Sequence, residues 1–534
     1  MRLRILVTDE IDPEGVALLT AVPEFEVDVV PTLPPKELLE RIGNYDALVG
    51  RSATRISEEV LTRGTRLKVV GRAGVGVDNV AVDRATELGI AVINAPAGNT
   101  IAVTELFFGA VIGLLRQIPQ AAQSMAEGRW DRSKLMGHEL KGRVLGIVGV
   151  GRIGSEVAKR AHAFGMELVG FDPYISDDRF ASLRVRRATE LRELFAAVDI
   201  ATIHTPLNDE TRGMIGDELL ATLRPGAIVV NMARGGIVDD AALLAALNSN
   251  HLRGAVLDVY VTEPLPANHP LRTAPNVVLM PHMGASTYEA QRNVAVDVAQ
   301  AVRDALLSGE LSRSLNVAAV SREDWLELQP SMDVAERAAT VARALLASRG
   351  HREVKRLSLR CGPAAIAGSD LLLAAAAVGV LNRVVETDRL NLISARAMAE
   401  LRGIELSVRE TERLEHPNAV EVTLSAGDQE LTVQGVSARD TPTRLTRIDG
   451  FHVDVPPRRT LIVLTNKDVP GVIGRVGTLL GESRINIASY HQSRLAQGGD
   501  ALAAISVDDP VPPEVCRRLL QLPDVKSATV VSFR

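Results

Sequence analysis

The sequence predicts an α/β protein with two doubly wound parallel-sheet lobes, followed by an α+β domain and a C-terminal βαββαβ unit. Over residues 1–318, short β-branched runs alternate with amphipathic segments, which is the pattern of parallel strands with helices on both faces. After Asn316 the pattern changes to alanine-rich helical stretches mixed with alternating strand patterns. From Thr460 onward, strands and helices follow the order of a ferredoxin-like fold.

Length and composition limit the class of protein. The chain has 534 residues, more than a single core usually holds, so several domains are expected. Hydrophobic residues make up 46% and charged residues 24%, which is ordinary for soluble proteins and excludes a disordered chain. The net charge of -6 provides no basic field, so nucleic acid is not an expected partner.

Cysteine usage favours a reducing cytoplasm, and the apolar stretches favour a soluble protein. Cys361 and Cys516 lie far apart without a nearby metal-ligand pattern, so we expect neither a disulfide framework nor a metal site. Residues 1–9 lead directly into a short apolar run that ends at an acidic residue, unlike a signal peptide. The longest apolar stretch, 371–381, is too short to cross a bilayer, so no membrane association is expected.

The first lobe shows strand patterns followed by a helical pattern. Strands are expected at 5–8, 27–30, 47–49, 68–70 and 91–93. Between Val103 and Ile118, apolar residues recur with a helical period, and Asn99 and Thr100 are candidate caps. These residues predict one long helix.

The second lobe contains a dinucleotide-binding pattern. Its strands are expected at 144–148, 167–171, 200–203, 227–231, 254–258 and 277–280. Gly149, Gly151 and Gly154 form a GxGxxG after the first of them, where glycines let the backbone approach a pyrophosphate at a helix N-terminus. The motif alone can be a structural turn. Asp172 at the end of the next strand strengthens it and favours NAD, because a carboxylate accepts ribose hydroxyls and repels a 2'-phosphate.

Three polar residues follow successive strands of this lobe. Oxidation of an alcohol by a nicotinamide needs a base for the hydroxyl proton and a cation that holds a carboxylate. Arg234 is the candidate cation, His282 the candidate acid/base, and Glu263 the residue that orients its ring and stabilises the imidazolium. Singly, each is more often structural. Their order after a nucleotide motif, on loops that converge at one crevice, favours a catalytic set.

These motifs resemble the D-2-hydroxyacid dehydrogenase family. The resemblance is carried by VGVGRIG, NMARGGIVD, DVYVTEP and PHMGAST, and it is closest to the long members with two C-terminal domains. It implies a Rossmann nucleotide lobe (99–287) inserted in a flavodoxin-like substrate lobe (1–98 and 288–318), with the helix after Asn99 as a hinge. It also implies an allosteric substrate-binding-like domain (319–455), a linker at 456–459 and an ACT regulatory domain (460–534).

The resemblance also implies an activity and an assembly. It implies NAD-dependent oxidation of 3-phospho-D-glycerate to 3-phosphooxypyruvate, the first step of serine biosynthesis, by a homo-oligomer, either a dimer or a tetramer. Alternatives are a dehydrogenase of another 2-hydroxy acid such as glyoxylate or 2-oxoglutarate, a nucleotide sensor with an inactive site, and an amino-acid sensor with a vestigial catalytic part.

Further site residues come from the same resemblance. Arg51 and Ser52 would hold the substrate phosphate, the amides of Val75 and Gly76 its carboxylate, with Asn99 nearby. Additional cofactor contacts would be made by Arg152, Ile153, His204, Thr205, Pro206, Ala233, Asp258 and Gly284. Arg132 would reach the active site of a neighbouring subunit, and a solvated loop charge is an equally good interpretation of it. A surface cation is the alternative for Arg51.

The last domain carries a candidate effector site for serine. By the same resemblance, Asp468 would meet the ammonium group and Asn486 the hydroxyl and carboxylate. Position 466 is Asn where serine-inhibited relatives carry an aromatic or imidazole ring, and because Asn offers less packing area, the alternatives are a weaker affinity for serine or a different effector. The alternative is a structural dimerisation module without a ligand.

Overall fold

The computed structural model describes residues 2–318, 320–382, 384, 389–409, 414, 416–438 and 441–533. The predicted start of the third domain, residue 319, lies outside the described residues. The predicted boundaries of all domains stay predictions, although the elements below fall within them.

The first lobe contains a parallel sheet with a doubly wound order. Its strands are β1 (Leu3–Val7), β2 (Phe25–Val29), β3 (Ala47–Gly50), β4 (Val69–Arg72) and β5 (Ala91–Asn94). They lie in the order β2-β1-β3-β4-β5, and all pairs are parallel. The chain moves to one side after β1 and returns to the other for β3, so the switch point of this sheet lies between β1 and β3. This order is the expected flavodoxin-like one.

The helices that pack on this sheet include α1 (Pro13–Thr20), α2 (Pro35–Arg41), α3 (Glu58–Arg63) and α4 (Val82–Glu87). Two further helices, α5 (Thr100–Leu115) and α6 (Ile118–Ala126), lead to the second lobe, and the buried face of α5 belongs to the core of that lobe. The prediction of one long helix over 103–118 is wrong. Gln117 adopts a left-handed φ of 50° and α6 begins with Pro119 in its first turn, so the axes of α5 and α6 differ by 64°. The proline ring and its missing N–H prevent α5 from continuing.

The second lobe contains another parallel sheet. Its strands are β6 (Val144–Val148), β7 (Glu167–Phe171), β8 (Arg186–Arg187), β9 (Ile200–Ile203), β10 (Ala227–Asn231), β11 (Leu252–Leu257) and β12 (Val277–Leu279). Their order is β12-β11-β10-β9-β6-β7-β8, so the switch point lies between β6 and β9. The helices are α7 (Arg152–Ala163), α8 (Asp177–Leu183), α9 (Leu191–Ala197), α10 (Asp217–Leu220) and α11 (Asp240–Asn248), and the next helix along the chain is α12 (Tyr288–Ser308).

Helix α12 returns to the first lobe. A Cβ on Gly15 of α1 would lie 2.7 Å from the backbone of Ala295, and one on Gly71 of β4 would lie 2.7 Å from Val298. Glycine at both positions therefore allows α12 to pack directly on the first sheet. This packing confirms that the nucleotide lobe is inserted into the other lobe.

The third domain has a mixed sheet backed by a long helix. Its strands are β13 (Arg356–Cys361), β14 (Glu405–Val408), β15 (Ala419–Ala426), β16 (Gln429–Ala438), β17 (Thr441–Ile448) and β18 (Phe451–Val455), in the order β14-β13-β15-β16-β17-β18. The helices are α13 (Arg322–Ser348), α14 (Ser369–Leu381) and α15 (Ala395–Glu400). Trp325 and Leu346 of α13 are buried in this core, which confirms the expected α+β domain.

The C-terminal domain is the expected βαββαβ unit. Its elements are β19 (Thr460–Lys467), α16 (Val472–Glu482), β20 (Ile487–Arg494), β21 (Asp500–Val507), α17 (Pro513–Leu520) and β22 (Val525–Ser532). The antiparallel strands lie in the order β20-β21-β19-β22. Segment 456–459 joins this unit to the third domain but is not a free linker. Arg337 donates to the Pro457 carbonyl, and the Phe533 N–H donates to the Arg459 carbonyl.

The third domain also contacts the first lobe. The Arg389 guanidinium donates to the carbonyls of Gly64 and Leu88, which end α3 and α4, and Asn391 donates to the carbonyl of Gly89 at 2.7 Å. Gly89 has a left-handed φ of 66°, and a Cβ there would lie 2.5 Å from the Arg389 carbonyl oxygen.

Among the described residues, no single helix is long and apolar enough to cross a membrane, although α5 and α6 together would pass that test.

Candidate active site

His282 and Glu263 form a close pair at the carboxyl ends of β11 and β12. His282 Nδ1 lies 2.7 Å from Glu263 Oε2, and Glu263 Oε1 accepts the Tyr260 N–H at 3.0 Å. Because Glu263 engages Nδ1, Nε2 is the ring nitrogen available to exchange a proton with a substrate. Both side chains are partly exposed, so the pair is accessible from the crevice.

Asp258 fixes the turn that carries His282. Its two carboxylate oxygens accept the N–H groups of Met283 and Gly284, each at 2.8 Å. Burial raises the pKa of Asp258, while these two N–H groups and His282 act in the opposite direction. His282 itself has a left-handed φ of 51°, an unfavourable conformation for a residue with a Cβ, and the turn bound to Asp258 holds it there.

The loop after β10, which carries Arg234, packs against the loop that carries Glu263. Asn231 accepts the Ala233 N–H at 3.1 Å and donates to the Arg234 carbonyl at 2.8 Å, which closes a tight turn. A Cβ on Gly235 would lie 2.0 Å from the Tyr260 backbone. Glycine is therefore required for the Arg234 loop to pack against the loop that carries Glu263.

The Gly-rich loop after β4 lies between two guanidinium groups. A Cβ on Gly74 would lie 1.5 Å from Arg72 Nη1, and one on Gly76 would lie 1.9 Å from Arg234 Nη2. Arg234 Nε also donates to Asp78 of the same loop at 3.1 Å. The loop from the first lobe and the Arg234 loop from the second lobe therefore meet across the crevice.

Arg72 is a candidate site residue that sequence reasoning missed. It is the last residue of β4 and is partly buried, and burial, aided by repulsion from Arg234, lowers its pKa to about 10. It therefore remains charged near neutral pH. Arg51 also repels this cation, while Asp78 and Asp9 act favourably on it, so three guanidinium groups lie in the crevice with two carboxylates that balance part of their charge. The available signal was an Arg at the carboxyl end of a strand, directly before the Gly-rich loop.

The other predicted substrate residues line the same loops. Arg51 and the exposed Ser52 follow β3. Among the described residues, no protein acceptor engages the N–H groups of Val75 and Gly76, so both amides are available to an anion. Asn99 precedes α5, and its Oδ1 is buried without a partner in the described part of the chain.

The glycine motif after β6 forms a cradle at the start of α7. Gly149 has φ 90°, and a Cβ there would lie 2.8 Å from the His204 carbonyl oxygen; one on Gly154 would lie 2.1 Å from the Gly149 carbonyl oxygen. At Gly151, which precedes α7, a Cβ would meet nothing within 4 Å, so the helix N-terminus is open. Arg152 and Ile153 form the first turn of this helix. An open N-terminus with close glycine backbone suits a pyrophosphate.

Asp172 lies beside this cradle at the end of β7. One carboxylate oxygen accepts the Val150 N–H at 2.9 Å and the other accepts the Tyr174 N–H at 3.0 Å. Each oxygen retains a second acceptor position for a ribose hydroxyl. The position agrees with the expected ribose contact, which stays a prediction.

The loop after β9 presents polar atoms at the switch point. His204 Nε2 lies 3.0 Å from Thr202 Oγ1, and burial lowers the pKa of His204 to about 4, so the ring is neutral near pH 7. In the described part of the chain, His204 Nδ1 and Thr205 Oγ1 are buried without partners. Pro206 follows in this loop, and Ala233 follows β10. Unpartnered polar atoms beside an open glycine cradle fit a dinucleotide such as NAD.

Comparisons with known proteins agree with this geometry. Residues 108–284 match the D-isomer specific 2-hydroxyacid dehydrogenase NAD binding domain, 328–449 the D-3-phosphoglycerate dehydrogenase intervening domain, and 460–524 the ACT domain. The D-3-phosphoglycerate dehydrogenase of Methanocaldococcus jannaschii is 38% identical over 99% of this chain and 100% of its own length. That of Bacillus subtilis is 36% identical over 99% of both chains.

The chain belongs to the D-3-phosphoglycerate dehydrogenase family. Solved structures are similar to the first two lobes. The TT0316 protein of Thermus thermophilus is 36% identical with a TM-score of 0.54, covering 59% of this chain and 100% of that one. A glyoxylate reductase from Paecilomyes thermophila is 30% identical with a TM-score of 0.54, covering 59% and 98%. Family membership confirms the predictions of an oxidoreductase and of NAD as cofactor.

Replacing Asp172 with alanine is expected to weaken NAD binding about tenfold or more, since hydrogen bonds to a charged acceptor contribute about 1.5–3 kcal/mol. The preference for NAD over NADP should narrow, because the carboxylate no longer repels a 2'-phosphate. Fluorescence titration with NADH and NADPH measures both effects. Asp177→Ala, which removes an exposed carboxylate from α8, is the control. Equal use of NAD and NADP by the unmodified protein would contradict this role.

Within the described residues, Arg132, a substrate residue that the family resemblance implies, is not bonded to the crevice of its own chain. Arg132 is exposed on the short turn Arg132–Lys134, and no hydrogen bond between described residues ties it to the crevice. Its predicted role in a neighbouring subunit stays a prediction. Trp130 and Met136 close to it are 78% and 80% exposed, so apolar surface flanks this arginine.

The three candidate effector residues of the ACT domain each bond to a different part of that domain. Asp468 accepts from Arg494 at 2.8 Å and from the Gly498 N–H at 3.3 Å, and Arg494 lowers the pKa of Asp468. Asn486 is exposed just before β20 rather than on it, and it donates to Asp508 at 2.6 Å. Asn466 is fully buried and donates to the Lys467 carbonyl, while its Oδ1 has no partner in the described part of the chain. Asp468 can therefore meet an ammonium group only if Arg494 moves or shares it.

Proposed function

We propose that the protein oxidises 3-phospho-D-glycerate to 3-phosphooxypyruvate with NAD, the first step of serine biosynthesis, and that His282 is the acid/base. The observation that carries the proposal is the His282–Glu263 pair at 2.7 Å, on a loop against which the Arg234 loop packs. The names of the full-length relatives support the same substrate.

The bound nicotinamide supplies the acceptor for the hydride from C2 of the substrate. His282 Nε2 takes the hydroxyl proton, and the resulting imidazolium is stabilised by Glu263 at Nδ1. Arg234 holds the substrate carboxylate and polarises the forming carbonyl, as a cation does where negative charge develops. The free N–H groups of Val75 and Gly76 bind the other side of the carboxylate.

The substrate phosphate binds between the loops after β3 and β4. Arg51 and Ser52 contact it from one loop, and Arg72 contacts it from the other. A guanidinium offers two parallel N–H groups to phosphate oxygens, which suits a dianion better than a lone ammonium does. The three guanidinium groups also favour a substrate with several negative charges over a simple 2-hydroxy acid.

A dehydrogenase of another 2-hydroxy acid is the second candidate, because a glyoxylate reductase shares the fold of the first two lobes. NADH formation with 3-phospho-D-glycerate beside D-glycerate, D-lactate and 2-hydroxyglutarate separates the two. Turnover with the phosphorylated acid supports the proposal. Faster turnover with an unphosphorylated acid favours the alternative, and the absence of turnover with all of them favours a sensor with an inactive site.

The chain is further proposed to work in the cytoplasm as a homo-oligomer, either a dimer or a tetramer, that is inhibited by serine. Exposed Trp130 and Met136 beside Arg132 support a subunit contact at this loop, and the ACT domain supports an effector. Sedimentation of the intact protein tests the assembly, and a dominant monomer would exclude it.

Serine at millimolar concentration is expected to inhibit, and Asp468→Ala to abolish inhibition while leaving kcat nearly unchanged, since Asp468 lies on a separate domain. Steady-state assays with and without serine measure this. Asp500→Ala, which removes an exposed ACT carboxylate paired with Lys526, should remain inhibited. No heat with serine in calorimetry, together with unaltered activity, would reduce the domain to an assembly role.

A further inference from the structure

Asp9 is a buried carboxylate that the mechanism above does not use. It follows β1, and Arg51 follows β3, so the two flank the switch point of the first sheet. Ligand crevices of doubly wound sheets form at such points. Asp9 is only 5% exposed, so its charge must be satisfied by protein groups.

The partners of Asp9 come mainly from the loop that carries Arg51. One carboxylate oxygen accepts the N–H groups of Arg51 at 2.8 Å and Thr54 at 2.9 Å. The other accepts the hydroxyls of Thr54 at 2.6 Å and Thr32 at 2.8 Å. Hydrogen bonds to a charged acceptor are stronger than neutral ones, so this carboxylate fixes the turn over residues 51–54.

Asn79 donates hydrogen bonds to the carbonyl groups of the same turn. Its Nδ2 donates to the carbonyls of Arg51 at 2.8 Å and Thr54 at 2.7 Å. Asn79 belongs to the loop after β4, which also contains Gly74 and Gly76. Asn79 therefore joins the two loops that are proposed to bind substrate. In the turn over residues 51–54, Asp9 accepts the N–H groups and Asn79 donates to the carbonyl groups.

The backbone at Asp9 adopts an unfavourable conformation that the hydrogen bonds of its side chain stabilise. Asp9 and Glu10 both have left-handed φ values, 66° and 44°, which are unfavourable for residues with a Cβ. The four accepted hydrogen bonds hold this conformation. The negative charge of Asp9 also acts favourably on Arg72, so one carboxylate is linked to both cations proposed to bind phosphate.

We propose that Asp9 is a positioning residue for phosphate recognition: with Asn79 it holds the Arg51–Thr54 turn so that Arg51 and Ser52 meet the substrate phosphate. This inference rests on the proposed function. Asp9 does not touch the substrate; it acts through the loop. Its loss should therefore affect binding of the phosphorylated substrate and spare the hydride-transfer step, because His282, Glu263 and Arg234 lie on the other lobe.

The test compares two buried carboxylates of the same lobe. Asp46 is 4% exposed and accepts the Arg4 N–H at 2.9 Å and Arg66 at 2.8 Å, but it precedes β3 and so lies at the end of the sheet away from the crevice. Asp9→Asn and Asp46→Asn each replace one acceptor oxygen by a donor. Melting temperature, KM and kcat are measured for both variants with 3-phospho-D-glycerate and D-glycerate.

Asp9→Asn is expected to raise KM for 3-phospho-D-glycerate about tenfold to a hundredfold, about the effect of losing one hydrogen bond between the protein and a charged substrate group. It should leave kcat within a few-fold and the activity with D-glycerate unchanged, so preference for the phosphorylated acid falls. Asp46→Asn should lower the melting temperature without changing this preference. If Asp9→Asn retains the wild-type preference, or both variants lose it equally, the positioning role is wrong.

Thr54→Val provides a second variant if Asp9→Asn does not fold, because it removes one hydroxyl and keeps the backbone bonds. It should raise KM for 3-phospho-D-glycerate a few-fold and spare D-glycerate; an unchanged KM contradicts the proposal. Failure of the proposed function is recognised separately. In that case the wild-type protein itself does not prefer the phosphorylated acid.

Discussion

Replacing His282 with alanine is expected to lower kcat by about two to four orders of magnitude, the usual contribution of a positioned acid/base. The proton of the substrate hydroxyl then has no acceptor at Nε2, and Glu263 has no imidazolium to stabilise. NADH binding should stay near the wild-type value, because the glycine cradle and Asp172 are untouched. Steady-state NADH formation and fluorescence titration measure the two quantities.

A second histidine of the same lobe provides the control. His251 interacts with the Leu220 carbonyl just before β11, away from the crevice, so His251→Ala should keep most of its activity. A His282→Ala protein that retains most of its turnover would exclude His282 as the acid/base. Loss of NADH binding in the same variant would show that the substitution disturbs the cofactor site instead.

Replacing Arg72 with methionine is expected to lower kcat/KM for 3-phospho-D-glycerate about tenfold to a hundredfold, since hydrogen bonds between charged groups contribute about 1.5–3 kcal/mol. Methionine keeps much of the buried apolar stem while removing the guanidinium. Activity with D-glycerate should change little. Arg72→Lys should recover only part of the loss, because lysine restores the charge without the planar fork.

Arg66→Met is the matched control, since Arg66 pairs with Asp46 at the far end of the same sheet. It should leave kcat/KM for both acids near wild type. If Arg72→Met lowers the activity with both acids equally, Arg72 stabilises the fold of the crevice and does not bind the substrate phosphate.

Much of the fold follows from patterns local in sequence. The β-branched runs of both lobes became strands near their expected positions because parallel strands are buried on both faces and must be apolar. The GxGxxG and the loops with Arg234, Glu263 and His282 could be placed because each directly follows such a run. The family resemblance added residues such as His204 and Gly284, whose roles no local pattern reveals.

Other features depend on contacts between distant residues and could not be predicted. In the sequence, Arg72 is only the last residue of a strand; its place in the crevice follows from its closeness to Gly74 and its interaction with Arg234. Asp9 is bonded to residues more than twenty positions away along the chain. The break between α5 and α6 has instead a local cause, because Pro119 ends a helix that hydrophobic periodicity alone extends to Ile118.

The most direct test of the account is the ratio of kcat/KM for 3-phospho-D-glycerate to that for D-glycerate, measured as NADH formation by the intact protein. Two charge-assisted contacts from Arg51 and Arg72 predict a ratio of about one hundred or more in favour of the phosphorylated acid. Arg72→Met should reduce that ratio about tenfold or more. A ratio near one, unchanged by Arg72→Met, would contradict the claim that this crevice recognises a phosphate.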